Sequence, residues 1–312
     1  MKTIGLVSGP VRNCGIHTYA SCVHEILQHS TKYQFLFFEV NTASEMMALA
    51  RKHQVSAVIY NWHPSIMPWC TGAFTQRVTE FDQFLILGHE LYQQGETFEN
   101  IKCYLTIDPT LPITDNSWPG VRPITYYPDI NYRPPSGVLK IGTSGFGQQK
   151  KGFGRLVEML NQQFKHEPVE LNVHFSVGHF VDPTGNTARQ SVLDYAGNLN
   201  SNIKLTVTHK FFEKHELIQW LNNNDINVYC YDYYHGPGVS SSIDKALAAQ
   251  KPVGVNDSNY FKHVRKDNID IYKIPIREIV EQGIEPLNEF YSKWNPKTFL
   301  EQYENMLRTF NV

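Results

Sequence analysis

Residues 226–253 read INVYCYDYYHGPGVSSSIDKALAAQKPV, and this stretch decides the fold class. The run at 226–229 is short, β-branched and aromatic, which is typical of a buried strand. Glycines and a proline follow, and then Ile243, Ala246 and Leu247 recur with helical spacing. The stretch therefore predicts a strand, a glycine-containing loop and a helix in that order.

Three serines fall where this helix begins. A hydroxyl of Ser240, Ser241 or Ser242 can cap the helix, while its free amides and the positive end of its dipole face an anion. A phosphate suits such a place. An ordinary crossover of an α/β protein explains the same residues, so the rest of the chain has to decide between the two interpretations.

The same strand, loop and helix pattern opens each half of the chain. In the first half it runs over 3–7, the loop SGPVRNCG at 8–15, and 16–27. In the second half it runs over 139–143, the loop SGFGQQKKG at 144–152, and 153–164. Further strands are predicted at 33–40, 56–60, 84–87, 171–177, 203–207, 253–255 and 269–274, and further helices at 43–52, 213–222 and 296–310. Strands that alternate with helices predict parallel sheets, which bind ligands at the carboxyl ends of their strands.

A proline-rich segment separates the two halves. Residues 109–135 contain seven prolines among aromatic residues, which is typical of an irregular connection between domains. We therefore predict an α/β protein of two doubly wound, Rossmann-like domains at 1–130 and 131–295, with a helix at 296–312. Tyr303, Leu307 and Phe310 share one face of that helix, so we expect it to pack back on the body of the protein.

Composition excludes several classes of protein. The 312 residues have a hydrophobic content of 41% and a formal net charge of −2, which argues against sequence-independent binding of nucleic acid. Five cysteines lack metal-ligand and disulfide-framework spacing. The sequence has no signal-peptide h-region and no run that could span a bilayer. We expect a cytoplasmic protein with no nucleic-acid partner, while peripheral contact with a membrane surface stays open.

The loops suggest a diphosphate rather than a dinucleotide or a metal. Lys150 and Lys151 come at the end of a strand, where an ammonium could neutralise a leaving diphosphate; two solvated surface lysines are the alternative. His63 and His89 also follow strands and could bond a substrate hydroxyl or transfer a proton, although structural histidines occur in such places too. Walker, G-x-G-x-x-G, H-E-x-x-H, Asp-x-Asp and G-x-S-x-G motifs are absent from the sequence.

Five segments in the right order, together with the opening strand, loop and helix at 5–27, resemble glycosyltransferases of the GT-B fold, in particular the family 4 group of retaining enzymes. The similarity extends over nearly the whole chain. These segments are LILGHE at 85–90, ITYYPDIN at 124–131, GFGQQKKGF at 145–153, ELIQWLNNNDINVY at 216–229 and SIDKALAAQKPV at 242–253.

The resemblance implies a nucleotide-sugar donor held against the second domain and an acceptor on the first. It implies that Lys151 stabilises the leaving diphosphate and that His89 contacts the donor sugar. It also implies that no metal or other cofactor is needed, the nucleotide-sugar being the substrate. Asp244 and His63 are candidates for ribose or sugar binding. The remaining candidates for diphosphate binding are Gly15, Gly145, Lys150, Gly238, Val239, Ser240 and Ser241.

Three positions depart from the family pattern. Phe146 stands where the family usually has an arginine, and Pro237 and Lys245 stand where it has two glutamates. Asp244 takes the ribose-binding role only if the register shifts by one residue, which turns a helical side chain by about 100°. Sugar recognition therefore differs from the family pattern or is absent.

The sequence thus predicts a glycosyltransferase that moves a sugar from a nucleotide-sugar to a glycan, lipid or protein acceptor, with retention and without a metal. The first alternative is a non-catalytic GT-B protein that binds a glycan or a partner, which the missing glutamates favour. The second is a nucleotide-sugar epimerase. A dehydrogenase is the weakest alternative, because neither half has a complete dinucleotide fingerprint.

Overall fold

The computed structural model describes residues 1–12, 14–87, 98–178, 182–233 and 238–312. It forms two compact units. The first contains Met1–Thr125, Gly238, Val239 and Lys293–Val312, and the second contains the described residues of 126–233 together with Ser240–Ser292. The chain thus passes from one unit to the other between residues 125 and 126, and the domain boundary at 130/131 stays a prediction.

Each unit is built on one parallel sheet. In the first unit the strands are β1 (Lys2–Ser8), β2 (Tyr33–Glu39), β3 (Ala57–Trp62), β4 (Asp82–Leu87), β5 (Ile101–Thr106) and β6 (Ser117–Pro119). In the second they are β7 (Leu139–Phe146), β8 (Val169–Ser176), β9 (Ile203–Thr208), β10 (Ile226–Tyr229) and β11 (Val253–Val255).

Helices connect most of these strands. They are α1 (Gly15–Leu27), α2 (Ala43–Lys52), α3 (Gly72–Arg77), α4 (Phe153–Gln163), α5 (Asn186–Ala196), α6 (Lys214–Asn222), α7 (Ser242–Ala248), α8 (Ile276–Glu281), α9 (Asn288–Lys293) and α10 (Pro296–Thr309). Within the described ranges, none of these helices is long and apolar enough to cross a membrane.

Strand order places a switch point in each sheet. The described strands follow the order β2-β1-β3-β4-β5-β6 in the first unit and β11-β10-β7-β8-β9 in the second. The order therefore reverses between β1 and β3 and between β7 and β10. Doubly wound sheets bind ligands at the carboxyl ends of the strands that flank such a reversal.

The C-terminal helix belongs to the core of the first unit. Phe299, Tyr303, Met306 and Leu307 of α10 are at most 2% exposed and pack in the same cluster as residues of α1 and β1. Phe310 lies partly buried against this cluster. The prediction that the last helix packs back on the body is confirmed.

Most predicted elements exist, and some have different bounds. The strand predicted at 139–143 continues to Phe146, because β7 pairs with β8 along its whole length, so Gly145 lies in a strand rather than in a loop. The strand predicted at 269–274 is wrong. There the Asp270 carboxylate accepts a hydrogen bond from the Tyr272 amide at 3.0 Å, and its carbonyl accepts from Lys273 and Ile274, so turns replace the strand.

Candidate functional site

Two loops meet at the carboxyl ends of β7 and β10, which are neighbours in the second sheet. The Asp232 amide donates to the Lys150 carbonyl oxygen at 2.8 Å. Gly152 has a left-handed φ of 63°, and a Cβ at this position would collide with the carbonyl oxygen of Cys230. Glycine is therefore required at 152, and the loop after β7 is held against the segment after β10.

Lys151 places a cation at this site. Its side chain is half-buried, and its Nζ lies 3.8 Å from the centroid of the Tyr231 ring and 5.9 Å from that of Tyr260. A cation over an aromatic face keeps N–H groups with which it can bind an anion. The sequence assigned Lys151 to a diphosphate, and its position at the switch point suits that role.

Tyr231 responds to the charge beside it. Burial alone would raise the pKa of its phenol, but the positive charge of Lys151 and hydrogen bonds with Ser242, Ser240 and Lys151 together lower that pKa below its ordinary value. The phenol donates to the Ser242 Oγ at 3.1 Å. Lys151 and Ser242 are therefore connected through one aromatic side chain.

Gly145 borders the same cluster. A Cβ built on Gly145 would lie 3.5 Å from the Tyr231 hydroxyl oxygen and 3.9 Å from both the Lys151 Cε and the Ser242 Oγ. Gly145, Lys151 and Ser242 are all half-buried, so part of each side of the cluster is open to a ligand. An ammonium, a hydroxyl and a glycine backbone are groups that bind phosphate oxygens.

The start of α7 differs from the prediction in one detail. Ser241 stands at the N-cap position with helical φ and ψ of −72° and −7°, and it makes no side-chain cap bond. Instead, the Ser240 Oγ accepts from the Ser242 amide at 3.3 Å. The Ser240 amide donates to the Tyr260 carbonyl oxygen at 2.9 Å, so in this structure that amide is already bonded.

Gly238 and Val239 belong to the first unit by their contacts, whereas Ser240 and Ser241 belong to the second. Gly238 has a positive φ of 102°, which favours glycine. Val239 is 2% exposed and Ser240 is 7% exposed. A role of Gly238, Val239, Ser240 and Ser241 in diphosphate binding stays a prediction.

Gly15 begins α1, directly after the β1 loop of the first unit. A Cβ on Gly15 would meet no atom within 4 Å apart from its chain neighbours, so among the described residues this glycine faces open space. The Asn61 Nδ2 donates to the Ile16 carbonyl oxygen at 2.9 Å and fixes this end of the helix. Further along α1, the Nε2 of buried His17 lies 2.8 Å from the Glu39 Oε1, within hydrogen-bond distance.

The two histidine candidates have different outcomes. His63 follows β3, its Nδ1 accepts from the Ser65 amide at 3.2 Å, and its carbonyl oxygen accepts from the Ile66 and Met67 amides. His63 thus stabilises a turn, and its sugar-binding role stays a prediction. His89 lies outside the described residues, as does Pro237.

The remaining candidates lie near the cluster along the chain. Lys150 is exposed, and its carbonyl oxygen bonds Asp232. Asp244 lies in the first turn of α7 and is 7% exposed, so most of its side chain is enclosed. Phe146 is the last residue of β7 and is half-buried.

In the part of the chain that the structure describes, no group of three or more His, Cys, Asp or Glu is arranged to hold a metal ion.

Sequence reasoning missed the residues that hold Lys151 in place. Tyr231 is one of several tyrosines around the end of a predicted strand, and no local pattern singles it out, nor Tyr260 or Asn256. The Asn256 Nδ2 donates to the Tyr231 carbonyl oxygen at 2.6 Å, and the Tyr260 ring lies 5.9 Å from the Tyr231 ring. Lys151, Tyr231 and Asn256 lie far apart in the sequence, so no local sequence pattern predicts that they are in contact.

Comparisons with known proteins identify the fold and leave the sequence family open. No protein-family model matches the sequence, and no curated protein matches it significantly. Solved structures do match along the whole chain. HepE of Anabaena in complex with UDP-glucose has a TM-score of 0.68 at 10% identity, and the match covers 99% of this chain and 100% of HepE.

Two further solved structures match the fold of this chain. The lipopolysaccharide outer core galactosyltransferase WaaB matches with a TM-score of 0.60 at 10% identity over 99% of both chains. An alpha-glucosyltransferase in complex with UDP matches with a TM-score of 0.59 at 8% identity over 100% of both chains. With two Rossmann-like units and these structural matches, the chain has the fold of the GT-B glycosyltransferases.

Proposed function

We propose that this protein transfers a sugar from a nucleotide-sugar donor to an acceptor hydroxyl. The observation that carries the proposal is the position of Lys151 at the switch point of the second unit, where its ammonium lies over the Tyr231 ring and its side chain borders Gly145, as Ser242 does. Solved structures with the same fold hold UDP or UDP-glucose. A nucleoside diphosphate is therefore the ligand that the cluster fits best.

The reaction develops charge where Lys151 stands. The bond between the anomeric carbon and the diphosphate oxygen breaks, the acceptor oxygen bonds that carbon, and the acceptor hydroxyl passes its proton to the departing diphosphate. Negative charge grows on the departing diphosphate, and a preorganised ammonium stabilises it, which is commonly the largest contribution to catalysis. In this proposal Lys151 supplies that charge without a metal ion, and the configuration at the anomeric carbon is retained, as the family resemblance implies.

The other candidates take supporting roles in the proposal. Lys150 adds positive charge near the diphosphate, and Gly15, Gly145 and the turn at 238–241 allow its close approach. His89 orients the donor sugar, while Asp244 and His63 bind ribose or sugar hydroxyls. A water-excluding closure would limit hydrolysis of the donor.

The acceptor is proposed to be a glycan, a lipid or a protein. One structural neighbour, an alpha-glucosyltransferase, is in complex with UDP and a 13-mer DNA that contains an HMU base. The net charge of −2 favours the other acceptors here. All five cysteines are buried and free, which suits the cytoplasmic location that we propose.

A second candidate is a GT-B protein that binds a glycan or a partner without catalysis. Pro237 and Lys245 favour it, because they replace the two glutamates with which the family binds its donor. A protein of this kind would bind an acceptor and show no affinity for any nucleotide. An epimerase would instead convert the nucleotide-sugar when no acceptor is present.

Thermal unfolding against a nucleotide panel tests the proposal. The purified protein is heated with UDP, GDP, ADP and CMP and with their sugars, each with and without magnesium. A ligand at a hundred times its dissociation constant stabilises the native state by about 2.7 kcal/mol. We expect one nucleotide family to raise the unfolding temperature without magnesium. No response to any nucleotide would overturn the donor site and favour the binding protein.

A further inference from the structure

We propose that Tyr231 is a positioning residue of the donor site, whose ring holds the Lys151 ammonium and whose hydroxyl orients Ser242 toward the diphosphate. The inference deepens the proposed function and rests on it. It also adds Ser242 as a hydroxyl donor to the diphosphate. The ligand chemistry is that of a nucleoside diphosphate.

The backbone of Lys151 is fixed, and its side chain needs a separate support. The Lys151 amide donates to the Gln148 carbonyl oxygen at 2.9 Å, and the next residue, Gly152, has a left-handed conformation. A lysine side chain is long and flexible, and ordering it costs rotamer entropy. The Tyr231 ring, 3.8 Å from the Nζ, restricts the ammonium to one place before a ligand arrives.

Tyr231 is itself held rigidly. Its side chain is 1% exposed, and its ring packs against Phe261 and Tyr229 at centroid distances of 4.7 Å and 6.1 Å. Its carbonyl oxygen accepts from the Asn256 Nδ2 at 2.6 Å. A buried ring that is packed on several sides does not change rotamer easily, so it can serve as a fixed surface for a mobile cation.

The hydroxyl of Tyr231 sets the direction of a second donor. The phenol donates its proton to the Ser242 Oγ at 3.1 Å. A serine hydroxyl has one proton to donate, and since its oxygen already accepts from the phenol, that proton is left for another acceptor. Ser242 is half-buried and borders Gly145, so a phosphate oxygen over Gly145 would meet both the ammonium and this hydroxyl.

Three variants separate the two contributions. Tyr231→Phe keeps the ring under Lys151 and removes the proton that orients Ser242. Tyr231→Leu removes both contributions. Ser242→Ala removes the second donor. The matched control is Tyr229→Phe, because Tyr229 is equally buried and bonds the Ser144 hydroxyl at 3.1 Å. We expect this control to bind UDP as the wild type does.

The test compares two ligands. Isothermal titration calorimetry measures the affinity for UDP, and the shift in unfolding temperature with millimolar uridine measures binding of the nucleoside without its diphosphate. We expect Tyr231→Leu to weaken UDP binding about tenfold and to leave uridine binding unchanged, because only the diphosphate meets Lys151. We expect Tyr231→Phe and Ser242→Ala to weaken UDP binding about threefold each, and the double variant to be no weaker than either one. With a UDP-sugar donor, Tyr231→Phe should recover most of the kcat that Tyr231→Leu loses.

Each contrary result has one meaning. If Tyr231→Leu binds UDP like the wild type while Lys151→Ala does not, the inference is wrong and the proposed function stands. Equal loss of UDP and uridine binding would also overturn the inference, since it would show a structural role only. If Tyr231→Leu does not fold, additive losses in Tyr231→Phe and Ser242→Ala would overturn it. A wild type that binds none of UDP, GDP and ADP overturns the proposed function and this inference together.

Discussion

The Lys151 ammonium lies 3.8 Å from the centroid of the Tyr231 ring, although the two residues belong to different loops. Lys151 ends a 3₁₀ turn after β7, and Tyr231 follows β10. These strands are neighbours at the point where the strand order of the second sheet reverses. The contact therefore brings a cation to the place where doubly wound sheets bind ligands.

Replacing Lys151 by alanine should reduce sugar transfer at least about tenfold, because the departing diphosphate loses an ammonium worth more than about 1.4 kcal/mol in the transition state. The side chain is half-buried at the surface of its unit, so the fold should persist. Initial rates with a nucleotide-sugar donor and circular dichroism measure the two effects. Lys165→Ala, an exposed lysine after α4, is the matched control and should keep the wild-type rate. Near-wild-type transfer by Lys151→Ala would refute the assignment.

Replacing Gly152 by alanine should destabilise the protein by about 2 kcal/mol or more. The left-handed φ of 63° disfavours a side chain, and the new Cβ would collide with the Cys230 carbonyl oxygen. Gly197→Ala is the control, since its φ is −67° and a Cβ there meets nothing within 4 Å among the described residues. Urea unfolding of the two variants measures the difference. Equal stabilities would contradict this account of the loop.

Acid should destabilise the second unit through His174. This ring is 2% exposed and stacks on Phe212 at 4.3 Å, and burial, together with the charges of His209, Lys210 and Lys245, lowers its pKa from 6.5 to about 4 despite the opposing charge of Glu216. Because the unfolded state binds the proton more readily, the stabilisation is present above pH 6.5 and is lost as the pH falls toward 4. The loss amounts to about 3 kcal/mol.

The variant His174→Phe keeps the stacked ring and removes the titrating group. Its unfolding free energy should fall less steeply between pH 6.5 and 4 than that of the wild type, as urea unfolding at several pH values would show. His166→Asn, at an exposed histidine, should follow the wild-type curve. A His174→Phe curve parallel to the wild type would assign the acid sensitivity to other groups.

Truncating Leu307 should destabilise the first unit by about 2–5 kcal/mol, the usual cost of a cavity in a core. This side chain is fully buried in the cluster that α10 shares with α1 and β1. Leu193→Ala on α5 is the matched control, because Leu193 is 69% exposed. Thermal unfolding compares the two. A small effect of Leu307→Ala would mean that α10 adds little to the core.

Continuous apolar runs made much of the fold predictable from the sequence. The strands β10 and β11 and the helix α2 have the predicted bounds. Buried parallel strands are short apolar runs, and an amphipathic helix has apolar residues at helical spacing, so both are visible in the sequence. The strand β5 was missed, although Ile101, Cys103 and Leu105 have the alternation that is typical of a half-buried strand. The helix α5 was missed as well, because exposed Leu193 and Tyr195 blur its apolar face.

The candidate site was predictable only where its chemistry is local. Gly145 and Lys151 lie close together in the sequence, Gly145 at the end of β7 and Lys151 in the turn that follows it, so their types and spacing indicated an anion site. Tyr231 reaches Lys151, and Asn256 reaches Tyr231, through tertiary contacts between distant segments. Such contacts depend on how β7, β10 and β11 are ordered in the sheet, which no local pattern encodes.

Hydrogen exchange of the wild type with and without UDP tests the central claim most directly. If UDP binds at the carboxyl ends of β7 and β10, amides in 144–152 and in 240–248 should exchange more slowly in its presence, and Lys151→Ala should abolish the effect. These segments contain Gly145, Lys151 and Ser242, the groups that we assign to the diphosphate. Slower exchange confined to other segments, with these two unchanged, would contradict the donor site.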